Sequence, residues 1–197
     1  MHPYATDSQE RRNVIFLLAV LSIGMTYLFY VCFSSFGLQF LWWAESPSVM
    51  GIFGLLYQLF EIYLWRYKIV RRVGIVKIPD LNGKWSVEGW TSFGSGRSFS
   101  ANARIKQTWT RMSVLLETVE SISYSISASI LIEQPGGITL SYEYRSEPRP
   151  NASGTMHAHR GTAVLRLKGD GGELEGEYYS GRDRLNYGIF LFKKTEG

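Results

Sequence analysis

Seven polar side chains, Thr91, Gln107, Thr118, Tyr142, Tyr144, His159 and Tyr178, fall at alternate positions that otherwise carry apolar residues. In an extended chain successive side chains point to opposite faces, so these seven share the inward face with apolar neighbours. The inward sets read Trp85/Val87/Gly89/Thr91, Ala103/Ile105/Gln107/Trp109 and Met112/Val114/Leu116/Thr118. They continue as Ile138/Leu140/Tyr142/Tyr144, His159/Gly161/Ala163/Leu165/Leu167 and Leu174/Gly176/Tyr178/Ser180. A buried polar group without a partner costs roughly 1–3 kcal/mol. The seven, lying mostly toward strand ends, therefore need either a shared hydrogen-bond network or a wet mouth that holds a polar small molecule. This is the chemistry of binding. For catalysis the sequence offers little. His157 and His159 stand on one strand face as a possible metal pair, but no third ligand is near in sequence, and a structural pair is the plainer reading. No phosphate-binding glycine loop, serine elbow or CxxC is present. The GSGRS stretch at 94–98 reads as a turn, because no strand–helix unit surrounds it.

Eight short strands must position these residues. Period-two segments occupy 84–93, 101–110, 112–121, 123–132, 137–145, 156–167, 173–180 and 187–194, and glycine-rich or polar breaks separate most of them. No helix-length amphipathic segment interrupts the series. Eight antiparallel strands close into a barrel wide enough to be filled or to hold one small ligand, so the expected fold is a small lipocalin-like β-barrel over residues 80–197. In SYSISASI the alternation puts Ser123, Ser125, Ser127 and Ser129 on one face and Tyr124, Ile126, Ala128 and Ile130 on the other; the serines are expected outside. The last strand, NYGIFLFKK, is apolar on both faces and cannot be phased.

The first third is different. No charged residue occurs between Asn13 and Ala44. Residues 14–33 supply twenty consecutive residues, enough to cross a hydrocarbon core of ~30 Å at ~1.5 Å per residue. A second apolar run, 46–65, carries one acid, Glu61, and ends in YLWRYKIVRR. There Tyr63, Trp65 and Tyr67 suit the headgroup level, and Arg66, Lys68, Arg71 and Arg72 suit an anionic cytoplasmic surface. Arg11 and Arg12 flank the other outer end, and the connection between the runs holds Glu45 and no cation. These features predict a cytoplasmic tail at 1–12, a two-helix transmembrane hairpin at 13–72, and both termini in the cytoplasm. A buried helical hairpin of a soluble protein and a cleaved signal peptide are the alternatives. Gly51, Gly54, Gln58 and Glu61 are the candidate contact positions between helices, although Gly51 and Gly54 do not form GxxxG and Glu61 also reads as a headgroup-level acid.

Charge narrows the partners. Up to Pro79 there are 7 Lys/Arg against 4 Asp/Glu; from Asp80 onward 14 face 13. A nearly neutral barrel lacks the row of cations that a nucleic-acid polymer needs, but it can still hold one small anion. Cys32 is the single cysteine and lies in the first apolar run, so neither a disulfide framework nor a zinc motif is possible. No cofactor is implied.

The order of these features resembles the CD-NTase-associated effectors of bacterial CBASS anti-phage systems that carry two transmembrane helices and a β-barrel. The likeness rests on the helix pair, then PDLNGKWSVEGW (79–90), IKQTWTRMSVLLET (105–118), SYSISASI (123–130), LSYEYRSEP (140–148), HRGTAVLRL (159–167) and LEGEYYSGRDRLNYGIFLF (174–192). It implies an inner-membrane protein, not an enzyme. Its cytoplasmic barrel would sense a cyclic dinucleotide made by a partner CD-NTase, chains would then self-associate, and their helices would compromise the lipid bilayer in abortive infection. Such a ligand brings two planar bases and two phosphodiesters. Trp109, Tyr142, Tyr144 and Tyr178 would stack on bases, Arg160 and Arg182 would meet phosphates, and Gln107 and Thr118 would read base edges. Ordinary core packing for the aromatics and ordinary surface charge for the arginines remain the competing readings. So do two other functions: a membrane-tethered carrier of an apolar or lipid ligand, and a structural module that recruits a protein.

Overall fold

A computed structural model describes the chain except residues 37–41, 151, 153, 155, 170, 182–184 and 196–197; of residues 42–47 only the backbone is described. The chain forms two compact units. One comprises Met1–Ser8 together with Ile78–Gly197, the other Gln9–Lys77.

The first unit is a closed barrel of nine strands. They are β1 (His2–Thr6), β2 (Gly83–Thr91), β3 (Arg97–Gln107), β4 (Arg111–Glu117), β5 (Ser121–Leu131), β6 (Thr139–Pro148), β7 (His159–Lys168), β8 (Glu173–Ser180) and β9 (Tyr187–Thr195). β2 to β9 correspond to the eight segments read from the sequence, and neighbours in that series pair antiparallel. β2 pairs with β9 to close the ring.

The ninth strand corrects the expected number, and it comes from before the apolar runs. β4 and β5 pair only from Leu115 to Glu117 against Tyr124 to Ile122. Beyond that they part, and β1 fills the gap. It runs antiparallel to β4 (His2 opposite Met112) and parallel to β5 (Tyr4 opposite Ala128, Thr6 opposite Ile130). Tyr4 points inward, buried, and its hydroxyl donates to the Trp109 carbonyl at 2.6 Å. The Asp7 carboxylate accepts the amides of Ile132 and Glu133 at 2.8 and 3.0 Å, fixing the end of β5.

The serine face also needs correction. Ser121, Ser123 and Ser125 are buried, whereas Tyr124 is half-buried and Ile126 exposed. The register against β6 slips between Ser125, opposite Tyr144, and Ser127, opposite Glu143. One extra residue in a bulge reverses the facing of everything after it, so the inward phase passes from Ser125 to Ile130. β9, apolar on both faces, points Gly188, Phe190 and Phe192 inward and leaves Tyr187 and Ile189 exposed.

The apolar core fills one end of the barrel. Trp85, Ile105, Met112, Ile130, Leu140, Leu165, Leu174 and Phe192 are all under 2% exposed. The 79–82 segment plugs that end through Gln107, whose side-chain carbonyl accepts the Leu81 amide at 2.8 Å and whose NH2 donates to the Pro79 carbonyl at 3.1 Å. The chain leaves the barrel after β1 and returns before β2 at this same closed end. The other end is open.

In the second unit α1 spans Glu10–Ser35 and α2 spans Trp42–Ile62. A one-turn 3-10 helix, Leu64–Arg66, and α3, Lys68–Arg72, follow. α1 is long and apolar enough to cross a membrane. Only Glu10, Val14, Leu18 and Ser22 on it are buried, one face at a spacing of four. Phe16, Ile23, Tyr27 and Leu28 are at least 60% exposed, a placement that water disfavours. Three of its hydroxyls bond within the helix: Ser22 donates to Ala19 O, Thr26 to Ser22 O and Ser35 to Val31 O. The Glu10 carboxylate accepts the Lys77 amide at 2.6 Å, which ties the two ends of this unit together.

Candidate functional site

The open end of the barrel holds a cavity of about 430 Å³. Three cross-strand pairs shape it. Gly89 sits opposite Phe99, Gly161 opposite Tyr144, and Gly188 opposite Tyr178. A Cβ at each glycine would collide with the ring opposite, so in each pair the bare backbone lets the ring lie against it. The rings then meet one another. Tyr178 stacks on Phe190 at 4.4 Å between centroids, and Phe99 meets Phe190 edge-on at 6.1 Å. Tyr144 lies between Tyr142 and His159, with centroids 6.3 Å from each. Gly161 and Gly188 are thus part of the site although they carry no chemistry.

Hydroxyls line the other side. Ser121, Ser123 and Ser146 are buried at the cavity wall. The Thr118 hydroxyl accepts the Glu120 and Ser121 amides at 3.2 and 2.9 Å and so builds the β4–β5 turn. His159 Nδ1 lies 2.9 Å from the His157 carbonyl. A carbonyl only accepts, so Nδ1 carries the proton and neutral His159 has Nε2 as its acceptor nitrogen. The exposed His157 serves through its backbone. Among the described residues no group of three His, Cys, Asp or Glu could hold a metal.

Of the residues expected to bind, Thr118, Tyr142, Tyr144 and Tyr178 line this cavity, as do Thr91 and His159. Gln107 and Trp109 do not. They lie at the closed end, where Gln107 holds the plug and Trp109 is fully buried with its carbonyl on Tyr4. Arg160 points outward, its side chain 69% exposed and 4.0 Å from Glu143. Arg182 lies outside the described residues. Sequence reasoning missed Arg97, Phe99, Phe190 and the serines, which also line the wall. Arg97 was hidden in a segment read only as a turn, Phe190 in the strand that could not be phased, and the serines behind the bulge.

Burial pushes the Tyr142 hydroxyl well above the ordinary tyrosine value, with the neighbouring Tyr144 adding to the effect. The phenol stays neutral and can donate a hydrogen bond at any physiological pH. The raised value has a consequence for stability. Below about pH 10 neither the folded nor the unfolded state ionises this group; above it the unfolded chain releases a proton that the folded chain keeps. The barrel should therefore lose about 1.4 kcal/mol per pH unit from this group as pH rises above 10. Tyr142→Phe should flatten that slope in urea titrations between about pH 9 and 11.5; equal slopes in both proteins would refute the assignment.

Residues 76–194 match the family model described as "Cap15, cyclic dinucleotide receptor domain". The chain belongs to the Cap15 family of CBASS effectors. Two curated relatives agree. A CD-NTase-associated protein 15 of Yersinia aleksiciae is 32% identical over 151 residues, spanning 76% of this chain and 70% of that protein. A CD-NTase-associated protein 15 of Staphylococcus schleiferi is 29% identical over 124 residues, spanning 63% of this chain and 65% of that protein. The matched receptor segment takes in β2 to β8 and β9 as far as Lys194, and hence the whole described cavity wall of this Cap15-family barrel.

Proposed function

We propose that this chain is a two-pass effector of the bacterial inner membrane, with both termini in the cytoplasm. A cyclic dinucleotide made by a partner CD-NTase enters the open end of the barrel, chains associate through their helices, and the bilayer fails, ending the infection with the cell. The observation that carries the reading is the ring-walled, hydroxyl-lined cavity within a segment that matches a cyclic dinucleotide receptor model. Bases suit the stacked rings. The hydroxyl lining disfavours the apolar-carrier alternative, since buried hydroxyls against lipid would lose their partners. The near-neutral barrel supports a small ligand over a nucleic-acid polymer.

Parity supports the two-pass reading. β1 precedes α1, and β2 to β9 follow the second apolar segment, yet all nine strands share one barrel. A barrel of this kind lies on one side of a bilayer, so the chain between Ser8 and Ile78 crosses an even number of times. α1 is the one described helix long and apolar enough to cross by itself; we read the shorter apolar stretch of α2, Ser48–Ile62, as the return. The same fact disfavours a cleaved signal peptide, which would carry β1 away. Exposed apolar side chains along α1 support a lipid surrounding over a soluble hairpin.

Titration of the full chain in detergent with a panel of cyclic dinucleotides tests the reading. Saturable binding is expected, weakened about fivefold to a hundredfold by Tyr142→Ala or Tyr178→Ala. Arg160→Ala should leave it unchanged. Failure of the folded wild-type chain to bind any member of the panel would overturn the proposal.

A further inference from the structure

Arg97 and Glu120 face each other across the cavity mouth from two different hairpins. Arg97 follows the β2–β3 turn, where Gly94 and Gly96 take φ of +66° and +82°. Glu120 lies in the β4–β5 turn that Thr118 holds, and its own carbonyl accepts the Arg149 amide at 2.8 Å. Arg97 Nη2 donates to Glu120 Oε2 at 3.3 Å, and the two side chains are 57% and 32% exposed. Both line the cavity, and beside His159 they are the ionisable groups other than tyrosine that the described wall contains. The site for a dianion thus shows one cation already committed to a carboxylate.

We propose that Arg97 is the phosphate-binding residue of this site and that Glu120 is its resident competitor. The proposal rests on the cyclic dinucleotide reading above and assigns roles within it. A guanidinium fork fits carboxylate and phosphodiester oxygens alike. In the free protein the carboxylate holds the fork across the mouth. When a ligand enters with its rings against Tyr178 and Tyr142, a phosphodiester oxygen takes the place of Glu120 on Arg97. Exposed ion pairs are weak, so the exchange is readily reversible. A lone small anion gains little over the carboxylate it displaces, whereas a ligand that also stacks gains the rings. Glu120 thereby sets the ligand concentration at which the barrel responds.

The test is a double-mutant cycle on the full chain in detergent, titrated with cyclic di-AMP and cyclic di-GMP. Arg97→Gln should weaken binding about tenfold or more. Glu120→Gln should tighten it about threefold to fivefold. The Glu120→Gln gain should shrink at least about twofold in the Arg97→Gln background, because only a competitor needs Arg97 to act. An equal gain in both backgrounds would mean that Glu120 acts merely through its field, and would overturn the competitor role. Unchanged affinity in Arg97→Gln, alongside loss of binding in Tyr178→Ala, would overturn the phosphate role while leaving the cyclic dinucleotide reading intact. Absence of binding by the folded wild-type chain would remove both. Near-ultraviolet circular dichroism of each variant confirms that the barrel is folded.

Discussion

A barrel deprived of β1 is expected to lose its cooperative fold. Without it, β4 and β5 remain joined only from Leu115 to Glu117. Their diverging halves then expose unpaired backbone groups into the closed end of the core. Tyr4 is 3% exposed and donates to the Trp109 carbonyl. Truncating a buried aromatic side chain typically costs about 3–5 kcal/mol, and leaving the Trp109 carbonyl without that donor adds about 1 kcal/mol. The two Asp7 acceptor bonds go as well. Against a whole-domain stability of about 5–15 kcal/mol, the sum removes most of the margin. Tyr4→Ala in the full chain should cost about 4–6 kcal/mol and Tyr4→Phe about 1 kcal/mol, read by urea unfolding of tryptophan fluorescence. A fragment covering 80–197 should show no cooperative transition, and joining 1–8 to it through a flexible linker should restore one. A fragment without β1 that unfolds as sharply as the joined version would refute this view of the strand.

The expectation of eight strands over 80–197 came from hydrophobic periodicity, and the reason it missed β1 is physical. HPYAT has five residues, a proline and one large apolar side chain pointing inward. Such a strand is specified by the gap it fills, between β4 and β5, and that gap is a tertiary feature. Where a strand has two regular neighbours the sequence was readable: the alternation at Trp85, Val87, Gly89 and Thr91 matches burial residue for residue. The bulge at Ser125 to Ser127 is the counterexample, since a slip of one residue leaves no mark in SYSISASI. The cavity tyrosines were legible because they interrupt apolar inward sets near strand ends. Gln107 obeyed the same pattern at the opposite end, where polarity serves a plug. Pattern alone gives the face of a regular strand, a bulge hides it, and closure of the barrel decides which end is the mouth.

Release of dye from vesicles is expected only when ligand is present, and it should depend on small residues in α2. On the proposed two-pass reading, two helices per chain cannot enclose a pore, so the proposed damage would require several chains. A ligand drives association only by favouring the associated state, and moving that equilibrium from about 1:99 to 99:1 takes ~5.5 kcal/mol of differential binding. Two stacked bases and a phosphate contact are of the right size for this, and confinement to a bilayer raises the effective concentration of neighbouring helices without new contacts. A Cβ placed on Gly51 or Gly54 meets nothing within 4 Å in the single chain. These positions therefore have room for a side chain in the single chain, while their bare backbone suits close approach by a second chain; Gln58 and Glu61 on the same helix would add polar contacts in the proposed assembly. Gly54→Leu should leave ligand affinity within about twofold of wild type, since the barrel is untouched, yet reduce ligand-triggered leakage about tenfold or more. Single-molecule photobleaching should then count several chains per spot for the wild type with ligand, and mostly one for Gly54→Leu. Leakage by ligand-bound chains that remain single, or equal leakage from both proteins, would show that the membrane is breached without this helix contact.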